Sequence, residues 1–120
     1  MNIRDYIEHI CGKSKKTRIV AVDFDRTLFD HAFEGYPHIG LPINSTIDFI
    51  KDLQQEGWKT ILWTCRDGVE LEQAVRACNE QDLYFDAIND NIDKEENNRL
   101  SRKVYASLYI DDKAINMLDI

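Results

Sequence analysis

Cysteine is scarce in this sequence: three residues, an odd number, with no Cys-x-x-Cys pair among them. That excludes a disulfide framework and a paired-thiol metal site, and it leads us to expect reduced thiols in a cytoplasmic protein. Long apolar runs are missing too. Nothing approaches the roughly 18 residues a membrane span needs, and the first residues lack the apolar core of a secretory signal. No membrane partner is expected. Positive charge is the minority, with 15 Lys and Arg against 22 Asp and Glu, a formal net charge of −7. A net acidic surface repels nucleic-acid phosphates at long range, which argues against a general DNA- or RNA-binding module while leaving room for a local positive pocket. There is no repeat, linker or low-complexity tract. What remains is a 120-residue chain with 43% hydrophobic and 10% aromatic residues, enough for one domain, 1–120, with a real core.

The stretch that organises the chain is Ile19-Val20-Ala21-Val22 leading into Asp23-Phe24-Asp25-Arg26-Thr27. An apolar run bounded by polar residues reads as a buried strand of a parallel sheet. The two acids fall beyond its carboxyl end, where ligands of open α/β sheets bind. Around it the pattern alternates. Asn2 to Cys11 has helical spacing and stops at Gly12. Leu28 to Pro42, punctuated by Gly35, Pro37, Gly40 and Pro42, predicts an irregular flap over the site. At about fifteen residues it is too short for a domain of ~50. Asn44 or Ser45 is placed to cap a helix that buries Ile47, Ile50 and Leu53 and ends at Gly57. Lys59–Thr64 reads as a second strand, and Asp67 or Gly68 opens a helix with Leu71, Ala74, Val75 and Cys78 on one face. Tyr84–Ile88 is a short third strand. Asn89 to Arg102 is a polar loop with a helical turn or two. Ala106–Ile110 is a fourth strand, ending at Asp111-Asp112. The alternation calls for a single Rossmann-like α/β domain: a parallel sheet with right-handed crossovers, flanked by helices.

Three predicted strands thus end in Asp23/Asp25, Thr64 and Asp111/Asp112, and in such a sheet these ends converge on one crevice. Four acids around a point need a cation, and all-oxygen ligation suits Mg²⁺. Lys103 shortly precedes the last strand and can offset negative charge there. A carboxylate nucleophile, a hydroxyl, a lysine and a metal meet the needs of phosphoryl transfer.

This arrangement resembles the haloacid dehalogenase superfamily of phosphohydrolases over roughly Ile19 to Asp112. The resemblance rests on Asp23-Phe24-Asp25-Arg26-Thr27, on Thr64 closing Ile61-Leu62-Trp63, on Lys103, and on Asp111-Asp112. It implies that Asp23 attacks phosphorus and forms an aspartyl-phosphate, and that Asp25 protonates the leaving oxygen and later activates water. Thr64 would bond a phosphoryl oxygen, and Lys103, with Lys94 as its rival, would steady Asp23 and the phosphate. Asp23, the Asp25 carbonyl and Asp111 or Asp112 would hold Mg²⁺. Many members carry Gly where this chain has Arg26. The segment lengths leave no room for a cap domain, so a capless member is implied.

Thr64-Cys65-Arg66-Asp67 is also similar to the Ser-x-Arg-Glu stretch in the phosphatase domain of phage polynucleotide kinase. Arg66, and Thr27 from the first motif, would then bind the substrate, a phosphorylated small molecule or a nucleic-acid end. The rival reading is a non-catalytic scaffold that keeps the fold. A receiver-type signalling module is disfavoured because its acid pair belongs on the first strand, not the last.

Other residues carry plainer readings. Cys65 is expected to pack, since a cysteine phosphatase needs an arginine where Leu71 stands. Cys11 and Cys78 lie on apolar helix faces. His9 belongs on the surface, and His31 and His38 lie in the flap, where polar residues are usually solvated and the alternative is contact with substrate. Phe33 and Tyr36 pin the flap or stack on an aromatic leaving group. Trp63 points away from Thr64 into the core. Asn89, Asp90 and Asn91 follow the third strand at the edge for ligand contact, where an Asn/Asp cluster more often forms a turn, and Asp93, Glu95 and Glu96 are expected to be solvated rather than to bind metal.

Overall fold

The computed structural model describes residues 18–90, 92 and 106–111. The predicted helix before Gly12, Lys94, most of the polar 89–102 loop, Lys103 and Asp112 lie outside those residues.

Strand β1, Ile19–Val22, is buried along its whole length, as a continuous apolar run requires. It lies inside a four-stranded parallel sheet with β4 (Lys59–Leu62) on one side and β6 (Leu108–Ile110) on the other; β5 (Ala87–Ile88) lies beyond β4. Helices α1 (Asn44–Gln55) and α2 (Gly68–Glu80) connect β1 toward β4 and β4 to β5. The result is a Rossmann-like α/β sheet flanked by helices.

The larger core joins Val20, Val22 and Phe24 to Ile47, Ile50 and Leu53 of α1, and to Ala74 and Cys78 of α2. The alternate residues Ile19, Ala21 and Ile61 face a second cluster with Trp63 and Tyr109. Trp63 therefore points where its parity predicts, with its ring edge-on to Tyr109 at 5.8 Å. No described helix is long and apolar enough to cross a membrane.

Several boundaries differ from the sequence expectation, each for a local reason. The flap is ordered as an antiparallel hairpin, β2 (Phe29–His31) and β3 (Ile39–Pro42), with a bulge between its paired positions. Gly40 permits the pairing, because a Cβ there would stand 2.5 Å from the Asp30 carbonyl oxygen and 2.7 Å from that of His31. Neither Asn44 nor Ser45 caps α1. Ile43 occupies that position without a side-chain cap, since its own N–H is tied to the Leu28 carbonyl at the hairpin base, at 2.8 Å. The third strand shrinks to Ala87–Ile88 because the Asp86 carboxylate takes the Thr60 N–H at 2.8 Å, where a strand carbonyl would otherwise serve. The same carboxylate accepts from the Thr60 hydroxyl, so this buried threonine is satisfied. The fourth strand starts at Leu108 rather than Ala106.

Arg26 has φ +66°, the left-handed region that favours glycine. The departure at this slot therefore carries strain. Arg26→Gly should raise stability by about 1 kcal/mol in a urea titration, and an unchanged or lower midpoint would contradict that.

Cys78 is buried on α2, and burial pushes its thiol from 9.0 up to about 12. The unfolded chain loses this proton near pH 9 while the native one keeps it. The resulting stability is fully present below pH 9 and is lost as pH rises toward 12, at no more than about 1.4 kcal/mol per unit. Subtracting the pH profile of Cys78→Ala isolates this slope from that of other groups; parallel profiles would refute it.

Candidate active site

In chain order the parallel strands β1, β4 and β5 step outward in one direction, and β6 then returns to the opposite flank of β1. The winding reverses between β1 and β6, and the crevice of such a sheet opens at that reversal. Asp23 and Asp111 follow directly on the two strands that border it. Val22 pairs with Ile110, and the Asp23 N–H donates to the Ile110 carbonyl at 2.8 Å. Adjoining strands run about 4.8 Å apart, so the sheet itself brings these two acids together.

The loop after β4 forms the opposite wall. Trp63 N–H still reaches the Val22 carbonyl at 2.9 Å. Thr64 N–H then leaves the ladder for the Asn89 side-chain oxygen at 2.7 Å. The Thr64 hydroxyl accepts the Arg66 N–H at 3.1 Å, which turns the loop and leaves the hydroxyl proton available to an incoming acceptor. Asn89, at the end of β5 with φ +52°, is thus a positioning residue for the Thr64 backbone, at the ligand edge where the sequence places it beside the alternative of a turn. The available signal was an Asn tolerant of the left-handed region at the ligand edge of a strand.

The chain turns immediately after Asp23. The Phe24 carbonyl gathers the N–H groups of Thr27, Leu28 and Phe29, and Asp25 lies in a bridge with Phe29. Asp25 faces Arg66. Nε donates to Oδ2 at 2.9 Å and Nη2 to Oδ1 at 2.8 Å, while Nη1 donates to the Pro37 carbonyl at 3.0 Å. The guanidinium lies over the rings of Phe24 and Tyr36, 5.1 and 4.8 Å from their centres. Its side chain is 1% exposed, against 45% for Asp25. Its hydrogen bonds to Asp25, more than any other influence, hold Arg66 above its ordinary range, with burial opposing. The fork expected to meet a phosphate is in this structure directed at Asp25.

Thr27 is buried at 5%, and its hydroxyl makes no hydrogen bond among the described residues. Cys65 is exposed, not packed, because the Thr64–Arg66 turn faces it outward. Phe33 and Tyr36 are exposed on the hairpin, with Tyr36 against Arg66.

No group of three or more His, Cys, Asp or Glu side chains gathers for a metal among the described residues. Magnesium, however, keeps several waters and is commonly bound by one or two carboxylates together with substrate phosphate. The all-oxygen pair Asp23 and Asp111 fits that ion in kind.

No protein-family model matches the chain, and no curated protein matches it. A solved structure of a conserved protein from Bacteroides thetaiotaomicron superposes with a TM-score of 0.71 at 37% identity, over 83% of this chain and 79% of that one.

Proposed function

The chain belongs to one family with that conserved Bacteroides thetaiotaomicron protein, and we propose that it is a magnesium-dependent phosphatase of the capless haloacid dehalogenase type, hydrolysing a phosphomonoester through an aspartyl-phosphate. The observation that carries this reading is the placement of Asp23 and Asp111 on adjoining strand ends at the winding reversal, with Thr64 leaving the next strand.

Asp23 is the nucleophile and Asp25 the group that moves the proton. Thr64 directs its hydroxyl at a phosphoryl oxygen. Lys103, which lies outside the described residues, is the lysine that would offset the negative charge of the phosphate. Asp23, Asp111, Asp112 and the Asp25 carbonyl are the groups that would hold magnesium, which when bound neutralises charge on the phosphoryl oxygens. In a chain of net charge −7, that neutralisation decides whether a dianionic substrate can approach a carboxylate at all.

The test is release of inorganic phosphate from an aryl phosphate. Release should require added Mg²⁺, stop with a chelator and return when Mg²⁺ is restored. Silence across a broad panel of phosphate esters, with the fold intact, would favour the scaffold.

A further inference from the structure

One side chain ties the hairpin to the acidic turn after β1. Two donors of the Arg66 guanidinium go to the Asp25 carboxylate, and the third goes to the Pro37 carbonyl of the hairpin at 3.0 Å. The same group lies over the Phe24 ring in the core and the Tyr36 ring on the hairpin, 4.8 Å from the centre of the latter. Arg66 is fully buried, so Tyr36 is held at one ring face by a group that has little room to move. Yet Tyr36 is 66% exposed. A ring with one face covered and that much surface free turns its other face to solvent.

Such a ring is a prepared platform. It has little freedom left to lose when a second flat group settles on it, whereas the fully exposed Phe33 of the same hairpin has no such anchor among the described residues. The place of the platform follows from the same guanidinium. On the phosphatase reading Asp23 attacks in line with the bond that breaks, so the leaving group departs on the side away from Asp23. Asp25 is the side chain assigned to that side, and Arg66 joins it directly to Pro37 and Tyr36. The leaving group therefore passes along the hairpin.

We propose that Tyr36 is a specificity-determining residue, and that the site takes phosphomonoesters whose leaving group carries a flat unsaturated ring within a bond or two of the ester oxygen. The inference rests on the phosphatase reading above and names its substrate class. Arg66 is the positioning residue of the arrangement. The ring of the substrate packs offset on the outer face of Tyr36, as aromatic pairs prefer. A saturated ring of the same size fills the same space but is puckered and has no π-face to stack. The chemical steps are unchanged; what is added is selective binding.

The test is inhibition of 4-nitrophenyl phosphate hydrolysis, with Mg²⁺, by benzylphosphonate and by cyclohexylmethylphosphonate, which differ in the flatness of one ring. The wild type should bind the benzyl compound about fivefold more tightly. Tyr36→Leu, which leaves apolar cover over Arg66 without the ring, should bring the two within about twofold of each other, and Tyr36→Phe should keep the preference. If Tyr36 only secures the hairpin, Tyr36→Leu weakens both inhibitors alike and the preference survives, which overturns the proposal. Equal binding of the two by the wild type, or binding of neither, also overturns it and leaves the phosphatase standing. So does turnover of other esters with none of the aryl phosphate. If no ester of the panel is hydrolysed, the phosphatase reading and this inference fall together. Thermal midpoints establish that the variants are folded, and the wild-type pair decides the point if Tyr36→Leu is not.

Discussion

Replacing Asp23 by Asn should lower phosphate release on the order of 10⁴–10⁶-fold, the scale on which nucleophile substitutions act in covalent catalysis. The substitution keeps the size and shape of the side chain. It also keeps the backbone bond from residue 23 to the Ile110 carbonyl at 2.8 Å, so the join between β1 and β6 survives. What would be lost is the anionic oxygen proposed to attack phosphorus, together with one of the two described carboxylates proposed to hold magnesium. Phosphate release and the thermal midpoint should be measured on one preparation. An unchanged midpoint with lost release supports the assignment. Release within tenfold of wild type, at any Mg²⁺ concentration, removes Asp23 from the chemistry.

Arg66→Ala should destabilise the fold by about 3 kcal/mol. Breaking a fully buried ion pair from one side costs roughly 3–5 kcal/mol. Asp25 is 45% exposed and regains water once unpaired, which lowers that figure. Against this, the arginine stem and guanidinium pack on Phe24, and their removal opens a void beside the main core. For a chain of this size such a loss lowers the midpoint by about 10 °C. Arg66→Met restores much of the volume without the charge, so its deficit relative to wild type reports the pair, and its advantage over Ala reports the packing. A loss below about 1 kcal/mol for Arg66→Ala would mean that the fork is not closed in solution.

Long elements were readable in the sequence because their signals are local. Ile19–Val22 has no polar residue and became the inner strand; Ile47, Ile50 and Leu53 kept helical spacing and became the buried face of α1. The acids after β1 and β6 could be assigned to one edge because parallel strands all end on the same side. The hairpin was not readable. Its strands are three and four residues long, too short to establish a period, and Gly and Pro within it speak for breaks. The Arg66–Asp25 pair joins residues 41 apart, and local patterning holds no information about it. Arg66 was seen as a fork for phosphate, which is the right geometry for a carboxylate as well. Cys65 was misjudged because an apolar run on one side says nothing of a turn on the other.

The short rim strand β5 also reaches the middle of the crevice. Asn89 holds the backbone of Thr64, Thr64 holds that of Arg66, and Arg66 grips Asp25. A relay of that kind gives evolution a dial at the periphery. Exchanging Asn89 at the outer margin of the sheet can shift the Thr64 hydroxyl and the Arg66 guanidinium together, with no substitution at either.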